Sequence, residues 1–556
     1  VIAPVIAVAV ALAAAYSRVA DEEGAIRFTD VTASSGLSIV TTSGATPPTT
    51  VLEVKGGGLG LIDFDSDGDL DLFVPNGATL AAPEAGPGAR LFRNDGGLRF
   101  TDVTEASGIR HRRWSFGVAV GDVDADGHDD IFVACYGPDV LLRNKGDGTF
   151  EDISERAGIR DPRWGTSAAF ADLDLDGDLD LYVCNYLGFD PAKPLPPASF
   201  KGMRVIAGPN GYPAAADAIY ENRGDGTFVD RSADSGILAV KPGFGLNLAI
   251  LDFTGDGKPD IFVGNDSQAN NLFTPIEPWK YRDDGLRSGI AVNSAGIEQA
   301  TMGVAVADVD ANGRPDVFTT NFSSDTNTLH LNLDGRNFDD RTNQFGLGAP
   351  SRTLVGWGAG FYDFDHDGDE DMLSVNGHVY PQATRASMDS EYAQPPLLME
   401  RRGQRFAAVS QAGAWKMEPH VGRTVVFADL DRDGDVDVVI AGLNEPLRVL
   451  RNDHDGADDW LIVEVRDTRA GVGNRHAVGA MIEVTAQGAT QRRWMAGGGP
   501  FQSNNAPEAH FGLPKGSAPV KVDVRFPDGT TTTQSVDSLG RRLVVDRASA
   551  ATSRPR

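Results

Sequence analysis

The chain has 556 residues, 79 acidic against 50 basic, and a formal net charge of −29, yet 41% of it is hydrophobic. A charged fraction of only 23% excludes a disordered polyelectrolyte, and the length allows roughly two to four domains with a large buried core. Such acidity repels phosphate backbones and anionic lipid, so it argues against nucleic-acid and membrane-surface partners and in favour of cations.

In chain order, the first element is an apolar run from Val1 to Ala15, followed by Tyr16, Ser17 and Arg18. Small residues at Ala13 and Ala15 fit an A-x-A cleavage signal, and fifteen residues suit an export-signal core better than a bilayer span of about 20. Residues 1–20 therefore read as a truncated signal peptide, with an uncleaved anchor as the alternative. A secreted or otherwise extracytoplasmic protein, periplasmic or cell-surface, is the expectation, with no membrane span in the mature chain if the segment is cleaved.

Residues 25–456 are built on a nine-residue pattern, D-x-D-x-D-G-x-x-D, that occurs seven times. Numbering the places one to nine, the candidate metal ligands at the odd places fall into seven sets. The first three are Asp63, Asp65, Asp67, Asp69 and Asp71; Asp122, Asp124, Asp126, His128 and Asp130; and Asp172, Asp174, Asp176, Asp178 and Asp180. Two degraded copies follow: Asp252, Thr254, Asp256, Lys258 and Asp260, then Asp308, Asp310, Asn312, Arg314 and Asp316. The last two are Asp363, Asp365, Asp367, Asp369 and Asp371, and Asp429, Asp431, Asp433, Asp435 and Asp437. After each loop comes a short apolar strand, such as Ile131-Phe132-Val133. A further strand often ends in Arg-Asn (Arg93-Asn94, Arg143-Asn144, Arg451-Asn452), and an aromatic-led strand completes the unit.

Seven units of four short strands predict an all-β fold, a seven-bladed β-propeller, in which no blade can bury its own core. The aromatic-led strand at Phe28 precedes the first loop, while none follows Leu447 to Asn452 after the seventh. The first strand of the chain is thus expected to complete the last blade and remove the sheet edges. An open solenoid is the competing architecture, and it has no need of complementary ends. Residues 457–548 break the pattern and predict a small separate β domain, with alternating runs at Trp460 to Arg466 and Val520 to Phe526. Residues 549–556 read as a disordered tail.

Oxygen side chains at alternate places and Gly at place six, which permits a positive φ, suit a hard divalent cation. Places one, three, five and nine offer carboxylates, and place seven offers its backbone carbonyl whatever its side chain, which tolerates Lys258 and Arg314. A helix-flanked calcium hand would need Glu at place twelve, where Val74, Val133, Val183, Val263, Thr319, Ser374 and Ile440 stand instead. The expectation is up to seven structural Ca2+ ions, weaker at the Asp252 and Asp308 loops. Places one, three, five and nine hold 26 Asp, so the rest of the chain sums to only −3 and the acidity belongs to the loops.

These loops resemble FG-GAP/VCBS repeats, the calcium-bearing units of integrin-type propellers. The C-terminal segment resembles the ASPIC/UnbV domain of cartilage-acidic-protein-like proteins through Gly473 to Ala480 (GNRHAVGA), Gly497 to Ser503 (GGGPFQS) and His510 to Leu513 (HFGL). The resemblance implies a secreted calcium-binding propeller and no established catalytic residues.

Nucleophile, zinc-protease, P-loop and dinucleotide motifs are all missing from the sequence. Cys135 and Cys184 read as buried free thiols, with one bridge between them as the alternative. His378 reads as a turn-stabilising residue, and Trp114, Trp164 and Trp357 as blade packing. Connections between second and third strands lie opposite the calcium loops and include the long segments Pro75 to Ala89, Tyr186 to Ala218 and Gly377 to Pro396. That face is expected to carry recognition. The leading expectation is a non-catalytic binding or adhesion module for an extracellular protein or glycan. The alternative is a polysaccharide lyase or hydrolase drawing on Lys193, Lys201, Arg204, His378 and Arg385.

Overall fold

A computed structural model describes residues 26–456 and 458–548; the segments read above as a signal peptide, residues 1–20, and as a disordered tail, residues 549–556, lie outside them. The chain is a seven-bladed β-propeller followed by a small β domain. Blade 1 runs Gly60–Ile62, Asp71–Val74, Arg90–Asn94 and Phe100–Asp102, and blades 2 to 6 repeat this antiparallel order. Blade 7 takes three strands from Gly422–Ala428, Asp437–Gly442 and Arg448–Asn452, and its outer strand is Phe28–Asp30. The register pairs Phe28 with Asn452, Thr29 with Arg451 and Asp30 with Leu450. The ring is closed by its two ends, which excludes the solenoid.

Separate apolar clusters fill the gaps between blades, so each blade is buried only by its neighbours. Phe73, Leu91, Ile131 and Val133 lie between blades 1 and 2, and Phe132, Phe170, Leu181 and Tyr220 between blades 2 and 3. Trp114, Trp164 and Trp357 are all buried, as blade packing requires, and Cys135 and Cys184 are buried free thiols in adjacent blades.

The C-terminal domain is a sandwich of two sheets. One contains Ala509–Leu513, Asp459–Arg466 and Arg541–Asp546; the other contains Ala489–Trp494, Met481–Ala486, Val520–Arg525 and Thr531–Val536. Alternation in Val520, Val522 and Val524, each at most 1% exposed, puts one face of the second sheet into the sandwich core.

This domain sends one loop across the propeller axis. Gly497 and Gly498 pair with Ile250 and Ala249 on the inner strand of blade 4. Further along, the Gln502 carbonyl accepts from Val118 N–H of blade 2 at 3.0 Å, and Asn504 pairs with blade 1 through Leu59 O and Leu61 N–H. Thr424 of blade 7 donates to Phe501 O at 2.6 Å, and the Phe501 ring meets Trp357 of blade 6 edge-on at 4.9 Å. The approach is so close that a Cβ on Gly58 would lie 1.7 Å from Gln502 O. The segment Gly497 to Ser503 thus serves as a plug.

Candidate metal centres

All seven acidic loops fold alike because their own side chains cap their own backbone. In the first six, the place-one carboxylate accepts the N–H of the place-six Gly at 2.8–3.1 Å. In all seven, the place-five oxygen accepts the N–H of place seven at 2.8–3.1 Å. The place-six Gly has φ between 84° and 104°. Place four is left-handed as well, at Ser66, Ala125, Leu175, Gly255, Ala311, His366 and Arg432. For the six non-Gly residues this conformation costs about 1 kcal/mol each, so the loop bonds must hold it.

Place nine opens the second strand of every blade. One of its oxygens accepts the place-two N–H in six blades, as Asp180 does from Leu173 at 2.8 Å. Its other oxygen accepts the third-strand N–H of Asn94, Asn144, Asn222, Asn332, Arg401 or Asn452. Blade 4 has Pro275 at that register, which has no N–H, and the matching Asp260 oxygen is buried without a partner.

The Arg-Asn motif gains its explanation here. The Asn side chain donates to the place-two carbonyl of the preceding blade: Asn144 to Phe64 at 2.9 Å, Asn222 to Val123 at 2.8 Å, Asn332 to Phe253 at 2.8 Å, Asn452 to Phe364 at 2.9 Å and Asn94 to Leu430 at 2.8 Å. The motif is an inter-blade staple. Its Arg goes to different partners: Arg143 turns back onto Asp124 and Asp126 of its own loop, the latter at 2.6 Å, whereas Arg93 and Arg451 pair with Asp95 and Asp453 just beyond the strand.

Carboxylate oxygens from places one, three and nine converge within 4.8 Å in the loops that begin at Asp63, Asp122, Asp172, Asp308 and Asp363. Place-three oxygens of Asp124, Asp174, Thr254, Asp365 and Asp431 are buried with no hydrogen-bond partner, as are place-one oxygens of Asp63, Asp308 and Asp429. Burial first, and neighbouring carboxylates second, push Asp63 up to about 6; burial pushes Asp71, Asp130 and Asp316 up to about 8 against their N–H donors. Orphaned, crowded oxygen ligands fit a hard divalent cation, which would relieve both the desolvation and the repulsion. Place five is turned to capping with one oxygen, and place-seven side chains diverge. Lys258 and Arg314, for instance, contribute to their turns through their backbone N–H.

The C-terminal domain sits on this loop face. Arg542 is 3.0 Å from Asp429, Arg492 3.6 Å from Asp308, Arg525 3.7 Å from Asp252 and Arg475 3.8 Å from Asp122, each on the place-one Oδ2. Gly473 and Asn474 donate backbone N–H groups to Gly177 O of the third loop at 3.0 Å. His476 meets Asp129 at 2.8 Å, where the carboxylate raises the imidazole against its burial. Residues 457–556 carry 13 Lys and Arg against 10 Asp and Glu, a balance opposite to that of the propeller. Between domain and plug lies a polar cavity of about 520 Å³, lined by Asp63, Asp129, Arg466, His476 and Glu508.

On the opposite face the long segments fold onto one another. The Lys201 ammonium donates to Met388 O at 2.7 Å, and Phe200, Phe322 and Tyr380 surround His378, which is fully buried. Burial, helped by Arg423 and Lys201, pulls that imidazole down to about 3, and its Nδ1 accepts Tyr380 N–H at 3.0 Å. It is a neutral, turn-holding histidine. Next to the 75–89 segment, the run Ile109 to Arg113 and Arg90 line a groove whose walls also carry Glu84, Asp102, Glu105 and Asp152. The guanidinium groups of Arg90, Arg110, Arg112 and Arg113 mostly reach backbone carbonyls, such as Gly86 O and Pro138 O at 2.8 Å. Among the described residues, Arg90 with Asp102 at 3.7 Å is the one ion pair of the group.

Fold and site define a propeller of acidic-loop blades roofed and plugged by its own C-terminal domain. The sequence matches the FG-GAP-like repeat over 63–133, 122–183, 205–263 and 252–319, and the ASPIC and UnbV family over 471–552. The chain is therefore an FG-GAP-repeat propeller that ends in an ASPIC/UnbV domain. It is similar to cartilage acidic protein 1 of Homo sapiens, 27% identical over 337 residues, covering 59% of this chain and 46% of that protein. The Xenopus tropicalis protein of the same name is 27% identical over 316 residues, covering 55% and 45%. The match spans less than half the length of these relatives. Among solved structures, an Agrocybe aegerita lectin aligns at 17% identity over 69% of this chain and 85% of its own, with a TM-score of 0.37.

Proposed function

We propose that the chain is an extracytoplasmic binding module whose propeller is held by Ca2+ in its blade loops and whose working face is the one opposite them. The observation that carries this reading is the seating of the C-terminal domain on the loops, which leaves the other face as the open one. There the arginine groove beside Arg110 and Arg112 supplies planar donors suited to carboxylate and sulfate, so the ligand class is an acidic glycan. Deleting residues 186–218 would be a poor test, because Tyr186, Leu187 and Val205 belong to the core. A cleaner one compares wild type with the R110A/R112A double variant on an array of sulfated and uronic-acid oligosaccharides in millimolar Ca2+. Binding should fall at least tenfold in the variant. Equal binding by both proteins, or none by wild type, rejects the groove.

A further inference from the structure

Three histidines that are far apart in sequence meet where the C-terminal domain rests on blades 6 and 7. His366 occupies place four of the blade 6 loop, His454 follows the last strand of blade 7, and His510 lies on the strand Ala509–Leu513. The ring of His366 lies 4.6 Å from that of His454 and 4.9 Å from that of His510, centroid to centroid. His366 and His510 are only 1% and 5% exposed.

Each imidazole keeps a buried nitrogen with no hydrogen-bond partner: Nε2 of His366, Nε2 of His454 and Nδ1 of His510. The state of His510 is determined by its other nitrogen. Nε2 of His510 lies 3.0 Å from Gly434 O and can only donate there, so Nδ1 carries the lone pair. A ring tied to a backbone carbonyl in this way is the arrangement that orients a metal-binding histidine. A fourth group stands beside them. Asp435 Oδ1 is 3.4 Å from His366 Nε2, and Asp435 Oδ2 accepts the backbone N–H of His454 at 3.1 Å.

His366 is the central member, and its separations from the other two rings and from Asp435 Oδ1 suit ligands of one tetrahedral ion. With metal–ligand bonds of about 2.0–2.2 Å, tetrahedral ligand atoms lie roughly 3.4 Å apart and the centroids of two coordinating imidazoles roughly 5 Å apart. Mere ring packing would leave no reason for a lone pair on His510 Nδ1 and unpartnered nitrogens on His366 and His454 beside a buried carboxylate. Imidazole with carboxylate selects a borderline ion such as Zn2+ over the oxygen-seeking Ca2+ of the blade loops. We propose that His366, His454, His510 and Asp435 form a zinc-class site that pins the C-terminal domain to blades 6 and 7. With all four positions filled by protein, the ion would be a clasp.

The test uses the full chain, stripped of transition metals and held in millimolar Ca2+ so that the blade loops are saturated. Zn2+ is titrated by calorimetry, and Co2+ by the intense visible absorption of its tetrahedral complexes. One saturable equivalent of Zn2+ and a tetrahedral Co2+ spectrum are expected. His454 lies at the rim, so H454Q should fold, bind Zn2+ at least tenfold more weakly and lose the Co2+ band; D435N should bind at least tenfold more weakly. Unfolding curves of the stripped variants, matched to stripped wild type, verify their folds. An absence of saturable Zn2+ binding in the presence of Ca2+, or unchanged binding in either variant, overturns the assignment.

Discussion

The two faces of the propeller differ in how regular they are. The loop face repeats seven times with one hydrogen-bonding scheme, and a domain of opposite charge balance covers it. The opposite face is irregular, with insertions in blades 1, 3 and 6 and an arginine groove at the junction of blades 1 and 2. Repetition here serves to build a ring, and the departures from repetition gather on the face where we propose that recognition takes place. Changes on the loop face should therefore act on stability, and changes on the open face on binding.

The largest expected effect is removal of the cations. An ion at a hundredfold excess over its dissociation constant adds about 2.7 kcal/mol per site, so several vacated loops should lower the melting temperature by about 20 °C. Calorimetry with and without excess chelator measures this. Next is the plug: Phe501→Ala removes a fully buried ring against Trp357 and should cost about 3–5 kcal/mol. Proteolysis near residues 455–460 should speed up as the C-terminal domain loosens. Breaking one inter-blade staple is milder. Asn222→Ala removes the donor to Val123 O and should cost about 1–3 kcal/mol by denaturant unfolding.

Smaller still is a gain at the degraded fourth loop. Thr254→Asp adds a carboxylate next to an orphaned Asp260 oxygen and should tighten Ca2+ binding there by about tenfold, read by calorimetry. The least is the stability change in R110A/R112A, within about 0.5 kcal/mol of wild type, since both side chains are exposed. A large loss of stability in that variant would erase the contrast between the faces.

Much of this was legible in the sequence because the signal repeats. Seven acidic loops with their flanking strands specify seven blades, and the spare strand at Phe28 specifies the closure. The recurrent Arg-Asn was visible too, but its meaning was not, since its partner lies in the neighbouring blade at separations of 79 to 99 residues, and 336 across the ring closure. The left-handed place four was hidden because Ser66, Ala125, Leu175 and His366 share no side-chain chemistry; only the backbone demands the conformation. The roofing of the loops escaped detection for a different reason. Arg475, Arg492, Arg525 and Arg542, spaced by 17, 33 and 17 residues, sit in no shared motif and acquire their pattern only from the ring they touch. The excess of basic residues in the last hundred positions was the available clue. The histidine cluster draws one member from each of three segments, which no local motif can announce.

The central claim is that cations in the loops hold the ring and the domain above it as one structure. Hydrogen–deuterium exchange of the full chain, with millimolar Ca2+ and again with excess chelator, tests it most directly. On this account chelation raises exchange in the blade loops and, together with them, at Gly497 to Ser503 and at Gly473 and Asn474, whose N–H groups bond to the third loop. Unchanged protection of the plug and of Gly473 while the loops exchange freely would contradict it.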